Sequence, residues 1–307
     1  MHLKPLTREM GVVVTADPGI TESMPRAEDI LSLVRSHGVA VFRGFAPGLA
    51  RFYELAAQIS PGMHRGVGEE TNGLRLHGEV YYMPMRIDLL WFYCVSSAPT
   101  GGATTVCDGI QVADQLSTVA RQFFADNPLT YELSFTRSIW SRLVGDVSAE
   151  QAAQLLQTDV MGPVADAYGD GCTFSCAAVS AEIVKGAFSR NAIIPTQWNN
   201  QKAFVNTMLH ALDPWASSIN QQVYRLTTPI PHEILSEIER VTERLTEEIY
   251  WSPGDFAVVD NTRLMHGRRA YRGPRNIQAI NGVLLANAPT RAQPATPAEQ
   301  PRAASRT

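Results

Sequence analysis

The segment RLHGEVYYMP holds an imidazole and a carboxylate two residues apart, His77 and Glu79, in apolar, β-branched and aromatic surroundings that predict a strand. Alternate residues of a strand face one side, so the pair can occupy two neighbouring corners of a metal's coordination sphere. A second imidazole would complete a two-histidine, one-carboxylate face, which leaves positions open for ligands and suits oxygen-activating iron(II). Zinc hydrolases use the same donors, and a His-X-Glu triplet by itself also occurs as a simple surface pair. The third donor therefore decides. His2, His37, His64, His210 and His232 all compete on composition alone, but His266 stands in a distinctive context, WSPGDFAVVDNTRLMHGRRAYRGPRNIQAINGV. There Gly254 and Asp255 predict a turn, Phe256 to Val259 a buried strand, and His266 a place in the Arg-rich loop that follows.

The elements that must position these groups are mostly short strands. Strand composition recurs at Val12–Thr15, Val39–Phe42, Leu89–Val95, Thr104–Cys107, Leu129–Phe135, Phe204–Met208, Phe256–Val259 and Ile277–Leu285, which predicts a barrel or sandwich. Helical spacing of apolar residues interrupts them at Ala27–His37, Leu49–Ile59 and Val112–Asp126. The clearest helical stripe runs over His232–Tyr250 through Ile234, Ile238, Val241, Leu245 and Ile249, and reads as a supporting helix packed on a core.

With 307 residues, 45% of them apolar and 18% charged, the chain can bury a large core. No internal repeat or linker divides it, so a single domain over residues 1–285 is expected. The Pro- and Ala-rich residues 286–307 are expected to form a mobile tail dispensable for chemistry. A formal charge of −4 leaves no basic face for nucleic acid, and no run is long and apolar enough for a membrane span. The expected partner is a small-molecule substrate and the expected compartment cytoplasmic; a homo-oligomer stays open. Cys94 and Cys107 sit in apolar runs, and Cys172 and Cys176 lack zinc-knuckle spacing, so all four read as structural.

Three blocks in order, LHGEVYY, APTGGATTVCDG and GDFAVVDNTRLMHGRRAY with RNIQ after it, resemble the taurine dioxygenase-like and clavaminate synthase-like family of Fe(II)/2-oxoglutarate-dependent oxygenases. They span Leu76 to Gln278. The resemblance implies a mainly β fold with peripheral helices around a double-stranded β-helix (jelly-roll, cupin-like) core. Residues Asp108 to Gln201 would then pack outside the barrel. It makes His77, Glu79 and His266 the iron(II) ligands, with 2-oxoglutarate and O₂ as co-substrates.

The same resemblance puts Thr104, from the Gly-Gly-X-Thr block, and Arg275 on the distal carboxylate of 2-oxoglutarate. A planar guanidinium pairs with a carboxylate through two hydrogen bonds, and a hydroxyl adds one. The nine-residue interval from His266 to Arg275 is shorter than in several relatives, which leaves Arg268, Arg269 and Arg272 as alternatives. Tyr81, Asn206, His210 and Arg268 are the candidate substrate contacts. Trp91, Phe92 and Tyr93 read as core. Glu79 closes the position that halogenating relatives leave open, and resembles the branch acting on amino acids and compounds made from them. The reaction implied is oxidation of an unactivated C–H bond, most simply hydroxylation, with desaturation or cyclisation open by the same route. A zinc-type hydrolase or a non-catalytic binding protein on the same barrel are the rival classes.

Overall fold

The computed structural model describes residues 1–7, 10–17, 24–66, 71–168, 171–213 and 224–287. Its centre is a pair of sheets. The major sheet has seven strands in the order His2–Pro5, Val12–Thr15, Val39–Arg43, Phe256–Asp260, Leu89–Ser96, Asn276–Gly282 and Gly62–Gly66. Only the Val12–Thr15 and Val39–Arg43 strands run parallel; the other neighbours are antiparallel. The minor sheet is antiparallel throughout, in the order Thr246–Ile249, Thr104–Asp108, Leu264–Arg268 and Leu74–His77. Together they form a double-stranded β-helix.

Strict alternation along the major sheet explains why it is covered on both faces. Val13, Val39, Val41, Leu90, Phe92, Ala257, Val259, Ile277 and Ala279 turn inward and pack with Val106, Ile249, Trp251 and Leu264 of the opposing layer. Val12, Val14, Ala40, Phe42, Trp91, Phe256, Val258 and Ile280 turn outward beneath two helices, Ala27–His37 and Leu49–Ile59. The first of these helices buries Ile30 and Val34, four residues apart, and each such burial contributes about 1.5–3 kcal/mol. Glu28 and Asp29 at its start and Arg35 and His37 at its end complement the helix dipole, and Gly38 terminates it at φ 77°.

The insert between Asp108 and Gln201 packs outside the two-sheet core, as the resemblance implies. It contributes helices and the strands Leu129–Thr136, Thr173–Ser180 and Ile183–Arg190, which with Tyr224–Leu226 form a separate four-stranded antiparallel sheet. Its own apolar core includes Phe124, Tyr131, Trp140, Phe188 and Phe204, and the long helix His232–Leu245 closes it with Ile234, Ile238 and Val241.

Several sequence expectations need correction. The helical stripe over His232–Tyr250 ends at Leu245, and Thr246–Ile249 continues as a strand pairing with Thr104–Cys107. Ile249 keeps the stripe's spacing but is buried by a ladder. The Val112–Asp126 helix is two, Gly109–Gln115 and Thr118–Asp126, because the Ser117 hydroxyl caps the second through the Ala120 amide. The Phe204–Met208 strand is replaced by a strand Lys202–Phe204 and a short helix from Met208. The last strand stops at Gly282, with a 3-10 turn at Leu285–Asn287. Residues 288–307 of the expected tail lie outside the described residues.

Candidate metal and co-substrate site

The strand Leu74–His77 ends on His77, so Glu79 does not share a ladder with it as the two-residue alternation predicts. Instead the chain leaves the sheet in a turn where Val80 has φ 63°. A β-branched residue held there costs on the order of 1–3 kcal/mol, so surrounding contacts must impose the conformation. Gly78 allows the tight exit. A Cβ at that position would stand 2.7 Å from the Tyr81 ring and 2.8 Å from Val205.

His266 is on a strand, Leu264–Arg268, where a loop was expected. The expectation failed because the polar residues of the strand, His266 and Arg268, are buried in the barrel, whereas Arg269 and Arg272, which gave the segment its loop-like composition, lie beyond its end. All five residues of the strand are buried, and His266 sits directly opposite His77 in the ladder.

These two departures bring the three donors together. Glu79 Oε2 lies 3.7 Å from His77 Nε2 and 3.6 Å from His266 Nε2, and the two imidazole rings are 4.2 Å apart. Among the described residues this is the only cluster of three His, Cys, Asp or Glu whose ligand atoms all fall within 4.8 Å of one another. The donor chemistry suits a divalent metal. His77 Nδ1 is 2.8 Å from the Arg75 carbonyl, which can only accept, so the proton sits on Nδ1 and the Nε2 lone pair is free for a metal. Burial, reinforced by the proximity of His77, pushes the His266 pKa down to about 3, so its ring is neutral at physiological pH.

A second set of groups lies along the same inner face. Arg268 stands two residues beyond His266 and directly opposite Thr104 in the ladder. The buried Thr104 hydroxyl accepts a hydrogen bond from the Trp251 indole at 2.9 Å, which leaves its own proton for another acceptor. Arg275 precedes the last major-sheet strand, and its Nε donates to the Gly102 carbonyl at 3.1 Å. Gly102 has φ 75°, and a Cβ there would meet the Arg275 side chain at 3.1 Å, which accounts for the second glycine of the Gly-Gly-X-Thr block. The guanidinium carbons of Arg268 and Arg275 lie 5.2 Å and 5.5 Å from the centroid of the Tyr271 ring. Burial and the nearby Arg268 charge lower the Arg275 pKa to about 10, leaving it cationic at neutral pH. The other arginines named from sequence are elsewhere: Arg269 is committed to Glu248 and Glu243, and Arg272 is exposed.

Of the candidate substrate contacts, His210 stands beside the donors, its ring 5.0 Å from that of His77. Burial and His77 push its pKa down to about 4. Tyr81 borders a cavity of about 140 Å³ with Met85, Arg190, Ile194, Gln197 and Thr262, and its ring lies 4.5 Å from the Arg190 guanidinium carbon. The Asn206 amide bonds the Ala192 carbonyl and the Met208 amide, which ties it to the backbone. Sequence reasoning missed four residues that shape the site, Trp251, Tyr271, Asn261 and Asn281. For Asn281 a signal existed: it shares the inward parity of Ile277 and Ala279, where an amide is out of place in a core.

A jelly-roll whose interior gathers two imidazoles and a carboxylate beside a buried arginine and threonine has the architecture of the non-haem iron(II) oxygenases. The comparisons agree. Residues 2–281 match the family model "Taurine catabolism dioxygenase TauD, TfdA family", and the chain belongs to that family of Fe(II)/2-oxoglutarate-dependent oxygenases. A clavaminate synthase-like protein of Arabidopsis thaliana is 29% identical over 84 residues, 26% of this chain and 26% of that protein's length. Among solved structures, AAD-2 in complex with Mn(II) and N-oxalylglycine superposes with TM-score 0.59 at 14% identity, covering 92% of this chain and 97% of that one. PvcB, an Fe, alpha-ketoglutarate-dependent oxygenase from an isonitrile synthetic pathway, gives 0.56 at 16% identity over 91% and 90%. At these identities the structural likeness establishes the fold. No helix among the described residues is long and apolar enough to cross a membrane.

Proposed function

We propose that this chain, as one oxygenase domain over residues 1–285, oxidises an unactivated C–H bond of a small molecule, with His77, Glu79 and His266 holding iron(II). The observation that carries the reading is the placement of Glu79 Oε2 within 3.7 Å of both imidazole Nε2 atoms. Bound iron supplies the activation of O₂ that couples decarboxylation of 2-oxoglutarate, to succinate and CO₂, with oxidation of the substrate. The protein's own groups do the rest. Arg275 and Thr104 anchor the distal carboxylate of 2-oxoglutarate, the arginine through charge-assisted hydrogen bonds and the threonine through the proton that Trp251 leaves free.

Substrate is received on the side of His210 and Tyr81, with Asn206 behind them fixing the backbone and Arg268 toward the co-substrate. A neutral His210 offers one donor and one acceptor without adding charge beside the metal. Burial of the site keeps bulk water from the reacting centre, and the fixed groups aim one C–H bond. The substrate class we assign is an amino acid or a compound derived from one, on the resemblance of the Glu79 motif to the clavaminate synthase branch. Screening such compounds for substrate-dependent succinate release, with the product mass measured alongside, tests the assignment. A gain of one oxygen atom supports hydroxylation, a loss of two hydrogens supports desaturation or cyclisation, and no stimulation by any amino acid or conjugate would overturn the substrate class.

A further inference from the structure

Glu79 lies past the end of its strand, so no ladder fixes either its backbone or its carboxylate. Two asparagines from the opposite side of the barrel, about 180 and 200 residues further along the chain, take over that role. Asn261 is fully buried and grips the Glu79 backbone from both sides. Its Oδ1 accepts the Glu79 amide at 2.9 Å, and its Nδ2 donates to the Glu79 carbonyl at 3.2 Å and to the Ile87 carbonyl at 3.0 Å. Its own backbone is pinned as well, its amide to the Asp88 carbonyl and its carbonyl by the Tyr81 hydroxyl. Asn281 holds the carboxylate. Its Nδ2 donates to Glu79 Oε1 at 3.0 Å, and the other carboxylate oxygen, Oε2, faces His77 and His266.

The cost of this arrangement argues that it has a purpose. Asn281 sits on the last strand of the major sheet at the inward position two beyond Ala279 and four beyond Ile277, where an apolar residue would pack without any need for a partner. A buried amide there is unfavourable unless it is hydrogen-bonded, and the Glu79 carboxylate is the partner it finds. We infer that Asn281 is a positioning residue that fixes the Glu79 carboxylate so that a single oxygen is presented to the metal, with Asn261 fixing the backbone that carries it. The inference rests on the reading of His77, Glu79 and His266 as a metal site.

The test is a titration of the purified apo protein with cobalt(II) under anaerobic conditions, followed by calorimetry and by the visible ligand-field absorption of the bound ion. The variants are Asn281→Leu, which keeps the size and removes the donor, and the pair Asn281→Ser and Asn281→Ala, which differ only in a hydroxyl. Loss of an outer contact of this kind lowers metal affinity about ten- to a hundredfold. Asn281→Leu is expected to fall in that range with a changed cobalt spectrum. Asn281→Ser should bind at least severalfold more tightly than Asn281→Ala at the same melting temperature. Should Asn281→Leu fail to fold, the Ser and Ala pair decides. Affinities within twofold of wild type, or affinities that follow the melting temperature and not the donor, would overturn the inference. The same titration separates this from the underlying reading: if the wild type binds no cobalt, or His77→Ala binds it as tightly, the metal site itself is wrong.

Discussion

Trp251 donates its indole N–H to the hydroxyl of Thr104 at 2.9 Å, which sets the direction in which that buried hydroxyl can itself donate. If Thr104 donates to the co-substrate carboxylate, this hydrogen bond is part of the anchor.

Trp251→Phe keeps an aromatic ring in the core and removes the donor. The Thr104 hydroxyl is then free to rotate, and a neutral hydrogen bond contributes about 0.5–1.5 kcal/mol. Affinity for 2-oxoglutarate is expected to weaken roughly twofold to tenfold, with metal affinity unchanged, and Thr104→Val should weaken it at least as much. Equilibrium titration of the iron-loaded, anaerobic protein measures both. An unaltered dissociation constant in both variants would remove Thr104 from the anchor.

Arg275→Ala removes a charge-assisted contact that typically contributes about 1.5–3 kcal/mol, so 2-oxoglutarate affinity should drop about tenfold to over a hundredfold. Arg269→Ala should have no such effect, because that side chain is engaged by Glu248 and Glu243. Finding the loss in Arg269→Ala and not in Arg275→Ala would reverse the assignment.

The thiols of Cys94 and Cys107 are pushed up to about 11 and about 12, chiefly by burial. Both are therefore protonated at pH 8, and the thiolate is the reactive form. In the native protein at pH 8 an alkylating reagent should leave both unmodified while full labelling follows denaturation, as peptide mass mapping would show. Rapid native alkylation of either would contradict their structural role.

The elements with a regular apolar period were legible in the sequence. The helices Ala27–His37 and Leu49–Ile59 fall where periodicity places them, and the strand beginning at Leu89 where its composition does. What escaped were features decided by partners distant in the chain. Ile249 keeps a helical spacing after Leu245, yet the exposed edge of the Thr104–Asp108 strand recruits that segment into a ladder. The three proposed metal donors could be named from their types and family context, but their placement could not. Glu79 reaches the site from a turn that Asn261 holds, and His266 from a buried strand whose glycine and arginine read as loop. The Trp251–Thr104 and Asn281–Glu79 contacts join residues 147 and 202 positions apart in the chain, a pairing that no local pattern encodes.

The proposed function rests on an iron(II) site formed by His77, Glu79 and His266 that binds 2-oxoglutarate. It is tested most directly by adding 2-oxoglutarate to the anaerobic iron(II)-loaded protein and recording the visible metal-to-ligand charge-transfer absorption. Zinc-loaded protein and the His77→Ala, Glu79→Gly and His266→Ala variants serve as comparisons. The band, and succinate release once O₂ is admitted, are expected in the iron-loaded wild type, with no band or succinate from the zinc form and loss of turnover in every variant. Absence of the band in the wild type, succinate release supported equally by zinc, or full turnover in iron-loaded Glu79→Gly would contradict it.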